Sequence, residues 1–218
     1  GTVVHINAGV AGLVAAYMIG NRTGLGREPM APHNLVLTVM GASLLWIGWF
    51  GFNAASTFAA TDVRFTVAAL NTGIAAAFGL VACLLYVNKR LGKPDPAMIA
   101  NGMLAGLVAI TAPCAFVDPW AAALIGILAG LLVVEAVLFI EKRGLDDPVG
   151  AVAVHGICGS FGALCVGIFA TGGDDGLSNK ALKEMDNLFM KALCDTLNPA
   201  AASHPASSGG PPPGTPQP

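Results

Sequence analysis

Charge is scarce in this sequence. Asp, Glu, Lys and Arg make up 11% of its 218 residues, where a soluble domain carries about 25%. That scarcity excludes a domain wetted on every side. The net charge of −2 leaves no basic footprint for nucleic acid. Cysteine is present but unpatterned: Cys83, Cys114, Cys158, Cys165 and Cys194 fall into no disulfide or metal-ligand spacing. Four of them sit in apolar runs, where cysteine packs as a small hydrophobe. Ser43, Ser56 and Ser160 lack the flanking pattern of a nucleophile elbow. No hydrolytic constellation is visible, and the chain is not expected to be an enzyme.

What is abundant is apolar sequence: 55% of the residues are hydrophobic and the mean hydropathy is +0.69. The apolar residues run on without interruption over 3–20, 35–52, 66–87, 97–117, 120–140 and 149–170. Each run approaches the ~20 residues that carry a helix across a hydrocarbon core about 30 Å thick. Without water to satisfy backbone groups there, continuous helices are the expected solution. A strand barrel needs alternating segments, and these runs do not alternate. The sequence therefore predicts an all-α integral membrane protein, a multi-span helical bundle in the cell membrane with about six transmembrane helices.

Basic residues orient the bundle. Arg22, Arg27, Lys89, Arg90, Lys93, Lys142 and Arg143 lie in the loops after spans 1, 3 and 5, and only Arg64 lies in the opposite loops. By the positive-inside bias the first span starts outside and the sixth ends outside. The first run has no basic flank and the chain opens on Gly1. No cleavable signal peptide is expected, and the chain reads as a segment whose beginning lies elsewhere. Past residue 171 the character changes. Apolar residues at 182, 185, 189 and 193 fit one amphipathic helix or linker over 172–198. The Pro/Gly/Ser-rich stretch 199–218 cannot bury a core and is expected to be disordered.

Histidine is rarer still, with four residues, yet two of them recur in matching settings. His5 is followed by Gly9 and Gly12, and His155 by Gly159 and Gly162. Positions i, i+4 and i+7 share one helix face, so each span presents an imidazole followed by glycines that admit a neighbouring backbone. Two opposed spans with this face can cross closely and bring the imidazoles together. A matched motif in opposed halves is also the mark of inverted-repeat transporters. The plainer reading is a histidine bonded locally or across a helix interface.

Asp147 precedes Pro148 at the start of the sixth span, which reads as an N-cap followed by an N1 proline. Trp46, Trp49, Phe50 and Phe52 mark the outer end of span 2. They read either as an interfacial aromatic belt or as a platform for a cation. Glu135 lies inside span 5 without an assigned role, and Gly102–Gly106 and Gly126–Gly130 read as helix-packing faces.

Four linked stretches over residues 1–171 resemble the Amt/Rh ammonium transporter family, on the Amt side. They are GTVVHINAG, the PHNL after a basic loop, IGWFGFNA, and DDPVGAVAVHGICG ending in GIFA. The resemblance implies a partial inverted-repeat fold in which this chain supplies spans five to ten of eleven. It implies a homotrimer with one pore per subunit. His5 and His155 match the pore pair that shares a proton, Trp49 and Phe52 the ammonium recruitment site and its gate. Asp147 matches a structural and functional acidic residue at the inner end.

The implied activity is ammonium transport: the cation is recruited at an outer site and deprotonated, and ammonia crosses an apolar pore. No cofactor or metal is implied, and P-II signalling proteins are the implied partners of the cytoplasmic loops. Relative to the family pattern, the first four spans, one gate phenylalanine, the cation-site serine and the final span fall outside the match. Gly150 stands where some relatives keep a second carboxylate. Two other readings stand beside this one: a transport-incompetent truncated member that associates with intact subunits, and a membrane redox protein with His5 and His155 as axial haem ligands.

Overall fold

The computed structural model describes residues 1–171 apart from 29, 31 and 62. The amphipathic segment expected over 172–198 and the tail over 199–218 lie outside the described residues. Six helices order the described chain: α1 Thr2–Ile19, α2 Leu35–Asn53, α3 Val63–Leu91, α4 Pro96–Thr111, α5 Pro119–Lys142 and α6 Val152–Phe169. No strand occurs among the described residues. Five of the six helices are long and apolar enough to cross a bilayer, and α4 is a shorter apolar helix of 16 residues.

Helix ends follow the local chemistry. Asn34 Oδ1 accepts the Leu37 N–H at 3.0 Å and starts α2, while Asp95 accepts from Ala97 and Met98 ahead of Pro96. The fourth run was expected to stay helical to Val117. Instead α4 stops at Thr111 and the chain turns, because Pro113 brings a missing N–H and a ring that crowds the preceding turn. α3 outruns its expected span at both ends and reaches 29 residues, roughly 44 Å at 1.5 Å per residue. Its inner end carries Lys89 and Arg90, whose long stems let the charges leave the apolar layer.

The core is a three-helix wedge of α3, α4 and α5, built on backbone contact. A Cβ placed on Gly106 would fall 2.3 Å from the Ala75 carbonyl oxygen, and one on Gly126 2.4 Å from the same atom. One on Gly130 would fall 2.4 Å from the Gly79 oxygen. A Cβ on Gly102 would fall 2.2 Å from Cys83 Cβ, so both glycine pairs expected from the sequence pack against one small-residue stripe of α3 formed by Ala75, Gly79 and Cys83. Leu107, Ile110, Ile125 and Val133 are fully buried beside it. α1 and α2 contrast sharply: 11% of their apolar windows is buried, against 44% for α3 and 50% for α5.

The basic loops gather at one end of the bundle. Arg22 grips Asp146 through its backbone N–H, Nε and Nη2, each at 2.8 Å, and Asn21 donates to the Gly144 carbonyl at 2.9 Å. These bonds join the α1–α2 loop to the α5–α6 loop. The Asp146 side chain is buried while that of Arg22 stays 46% exposed. Hydrogen bonds from the Arg22 guanidinium and backbone hold the Asp146 carboxyl below the usual carboxylate value. Glu135 also finds its partners here: its Oε1 accepts from Tyr86 Oη at 2.7 Å and from Arg90 Nε at 3.3 Å across the α3–α5 surface.

Candidate functional site

α1 and α6 meet at their histidines. His5 Nδ1 lies 3.1 Å from His155 Nδ1, and the two rings stack with centroids 5.2 Å apart at 19°. Both residues sit in single π-helical turns, Thr2–Ile6 and Val152–Ile157, which lead into the α-helical parts of α1 and α6. Such turns place one extra residue in a turn and re-aim the side chains. That local winding changes the glycine register the sequence suggested. A Cβ on Gly9 would fall 2.3 Å from Gly156 Cα, and one on Gly159 2.8 Å from His5 Cβ, so these two do set the crossing. Among the described residues Gly12 meets only Val152, at an ordinary 3.9 Å. Gly162 turns to α4, where a Cβ would fall 2.3 Å from the Ala109 oxygen.

α2 covers the His5 side of the pair. Trp49 stacks flat on His5 with centroids 5.4 Å apart at 9°, and Phe52 meets both rings edge-on at 5.9 and 5.7 Å. Trp49 is 7% exposed, which removes it from an interfacial belt. Trp46 packs on the core with its indole nitrogen buried, and the Phe50 ring lies over Gly73 of α3. Of the four aromatics, then, two surround the imidazole and two pack between helices. An open apolar groove of about 450 Å³ runs along α2, lined by Gly41, Leu44, Leu45, Gly48, Trp49 and Phe52.

Thr111 completes the site, and nothing in the sequence reading singled it out. Its Oγ1 lies 3.1 Å from His5 Nε2, 3.0 Å from Trp49 Nε1 and 2.8 Å from the Leu107 carbonyl. One signal was available: Thr111 is the single hydroxyl of α4 and stands two residues before Pro113, at the end of its helix. Asp147 lies just before the start of α6, at the same end as His155. Its Oδ1 accepts from Ala151 N–H at 2.8 Å and its Oδ2 from Val152 and Ala153 at 2.8 and 3.4 Å. The carboxylate caps the helix from outside it, across a turn through Pro148 and Gly150. Pro148 therefore stands in the turn and not at the first helical position.

A pair of axial imidazoles would hold its nitrogens roughly 4 Å apart, twice a metal–nitrogen bond of about 2 Å. The 3.1 Å Nδ1–Nδ1 contact and the indole flat on His5 do not fit a macrocycle between the rings. What the arrangement can do is share hydrogen bonds along a line of stacked rings inside an apolar bundle.

Fold and site together define a multi-pass helical membrane protein that encloses a paired imidazole under a stacked indole. The chain belongs to the Ammonium Transporter Family, whose model matches residues 1–203. It is 47% identical over 175 residues to the ammonium transporter Amt2 of Archaeoglobus fulgidus, covering 78% of this chain and 37% of that protein. The ammonium transporter of Bacillus subtilis is 41% identical over 186 residues, covering 81% and 45%. Among solved structures, a sensor Amt protein superposes with a TM-score of 0.73 at 38% identity, covering 78% of this chain and 43% of that one. Candida albicans Mep2 gives 0.72 at 34%, covering 77% and 38%. The chain thus spans about two fifths of the length of the relatives it matches.

Proposed function

We propose that this chain is the histidine-bearing part of an ammonium transporter, in which ammonium is recruited beside Trp49 and Phe52, gives up its proton, and crosses as ammonia past His5 and His155. The observation that carries this reading is the direct 3.1 Å contact between two imidazoles enclosed among membrane helices. A bare cation in an apolar path faces a desolvation penalty of tens of kcal/mol in the Born limit, and a neutral molecule escapes most of it. Two imidazoles suit the proton's side of this exchange, since each neutral ring has one donor and one acceptor nitrogen, so a proton can enter at one and leave at the other. Deprotonation also separates ammonium from potassium, which has no proton to lose. Aromatic faces attract a cation before that step, and Trp49 and Phe52 supply them. We further propose a homotrimeric assembly and docking of P-II proteins on the loops that carry Arg22, Arg27, Lys89, Arg90, Lys93, Lys142 and Arg143.

A second reading, association with intact subunits without transport of its own, is favoured by the open sides of α1 and α2. Ammonium-evoked current in proteoliposomes separates the two. The chain alone is compared with the chain joined to the remaining length of a relative. Current only in the joined protein fits a competent half-pore, and current in neither supports association alone. In the conducting form, replacing His5 or His155 by Ala should change ammonium-over-potassium selectivity while membrane insertion persists. Unchanged selectivity in both variants would overturn the role given to the pair.

A further inference from the structure

We propose that Thr111 locks the histidine pair into one tautomeric order: the proton on Nε2 of His5, the proton on Nδ1 of His155, and Nε2 of His155 left as the pair's bare acceptor. The hydrogens available around one oxygen decide the order. Oγ1 of Thr111 has three close partners but one proton and two lone pairs. Trp49 Nε1–H can only donate, so it takes one lone pair. The Leu107 carbonyl can only accept and is the nearest partner at 2.8 Å, so it takes the hydroxyl proton. Sending that proton to His5 instead would leave two oxygens 2.8 Å apart with no hydrogen between them. His5 Nε2 must therefore donate into the second lone pair.

The rest follows along the chain of contacts. With its proton on Nε2, neutral His5 offers a bare Nδ1, and His155 Nδ1 at 3.1 Å must supply the hydrogen between them. That leaves His155 Nε2 unprotonated, and among the described residues no group donates to it. The line of bonds has a closed end at Leu107 and an open, basic end at His155. A proton given to His155 Nε2 by a donor such as ammonium, which leaves as ammonia, makes His155 an imidazolium. Its Nδ1 proton can then pass to His5 Nδ1, so the charge spreads over both rings. The step conserves its protons and needs no other reactant. Its use in transport rests on the reading above, but the tautomers themselves do not.

Nitrogen-15 NMR of the full chain with labelled histidine, in bilayers at a pH where the rings are neutral, reads the order directly. Protonated and bare imidazole nitrogens resonate far apart. His5, His33, His155 and His204 are the four to assign. The expected spectrum has His5 protonated at Nε2 and His155 at Nδ1. In Thr111→Ser the order should persist. In Thr111→Val the His5 Nε2–H signal should be lost or mixed with the Nδ1–H form, because its acceptor is gone. His5 found with its proton on Nδ1 in the unmodified chain overturns the inference, as does an unchanged order in a folded Thr111→Val. If that variant fails to insert, the unmodified chain and Thr111→Ser still decide. An intact order with no ammonium current would count against the transport reading alone.

Discussion

Trp49 presents its ring face to His5 and its N–H to Thr111, so one side chain serves two contacts. Trp49→Leu should weaken ammonium recruitment by about 2- to 30-fold, the range of a cation–π contribution of roughly 0.5–2 kcal/mol. The concentration dependence of the current measures it, and collapse of folding with no shift in apparent affinity would make the indole structural only. His5, His155, Trp49 and Phe52 were legible in the sequence because rare polar or aromatic residues stand out in an apolar run. Thr111 was hidden because a lone threonine beside Pro113 looks like an ordinary helix end. The assignment of Asp147 to the sixth helix was also legible, but its position outside the helix depends on the left-handed Gly150 (φ 71°), which spacing alone does not reveal.

At the scale of elements, the α1–α6 crossing divides its glycines. Gly9→Ala should destabilise the protein by about 1–3 kcal/mol, as overpacking does, because its Cβ would lie 2.3 Å from Gly156 Cα. Gly12→Ala, with its nearest neighbour at 3.9 Å, should be nearly silent. Thermal unfolding of the two variants side by side tests this; equal losses would contradict the crossing. The sequence suggested equal roles for Gly9 and Gly12 because it assumed regular α-helical winding, and the π-turns redistribute the contacts.

The loop staple offers a second element-scale test. The Asp146 carboxyl is held below its ordinary pKa of about 3.9, so ionised Asp146 favours the folded state. That contribution is complete above the unfolded pKa and is lost as pH falls through the lowered folded value. Acidification below about pH 4 should therefore narrow the Tm gap between the unmodified chain and Asp146→Asn. A gap that stays constant down to acid pH would deny the linkage.

For the whole molecule, the three-helix wedge of α3, α4 and α5 is self-sufficient in packing and the α1–α2 side is not. A lipid-soluble carbene label should react at Val10, Val14 and Ile47 in the chain alone, and these positions should be shielded when the chain is joined to a relative's remaining length. Ile125, fully buried, should stay unlabelled in both. Persistent labelling of α1 and α2 in the joined protein would mean that those faces meet lipid. Six apolar runs were enough to read a helical membrane bundle, since the absence of water in the bilayer leaves few alternatives. The burial contrast between its halves was not readable, because lipid-facing and protein-facing apolar residues look alike in composition.

The π-turns at His5 and His155 also bear on how such a chain tolerates insertion and deletion. Each turn holds one residue more than an α-turn, so it can shed a residue and rewind without breaking the helix. Deleting Ile6 or Ile157 should leave a continuous, membrane-inserted helix while swinging the imidazole about 100° relative to the glycines beyond it. At these two places a gap in the gene would spare the architecture and erase the histidine pair.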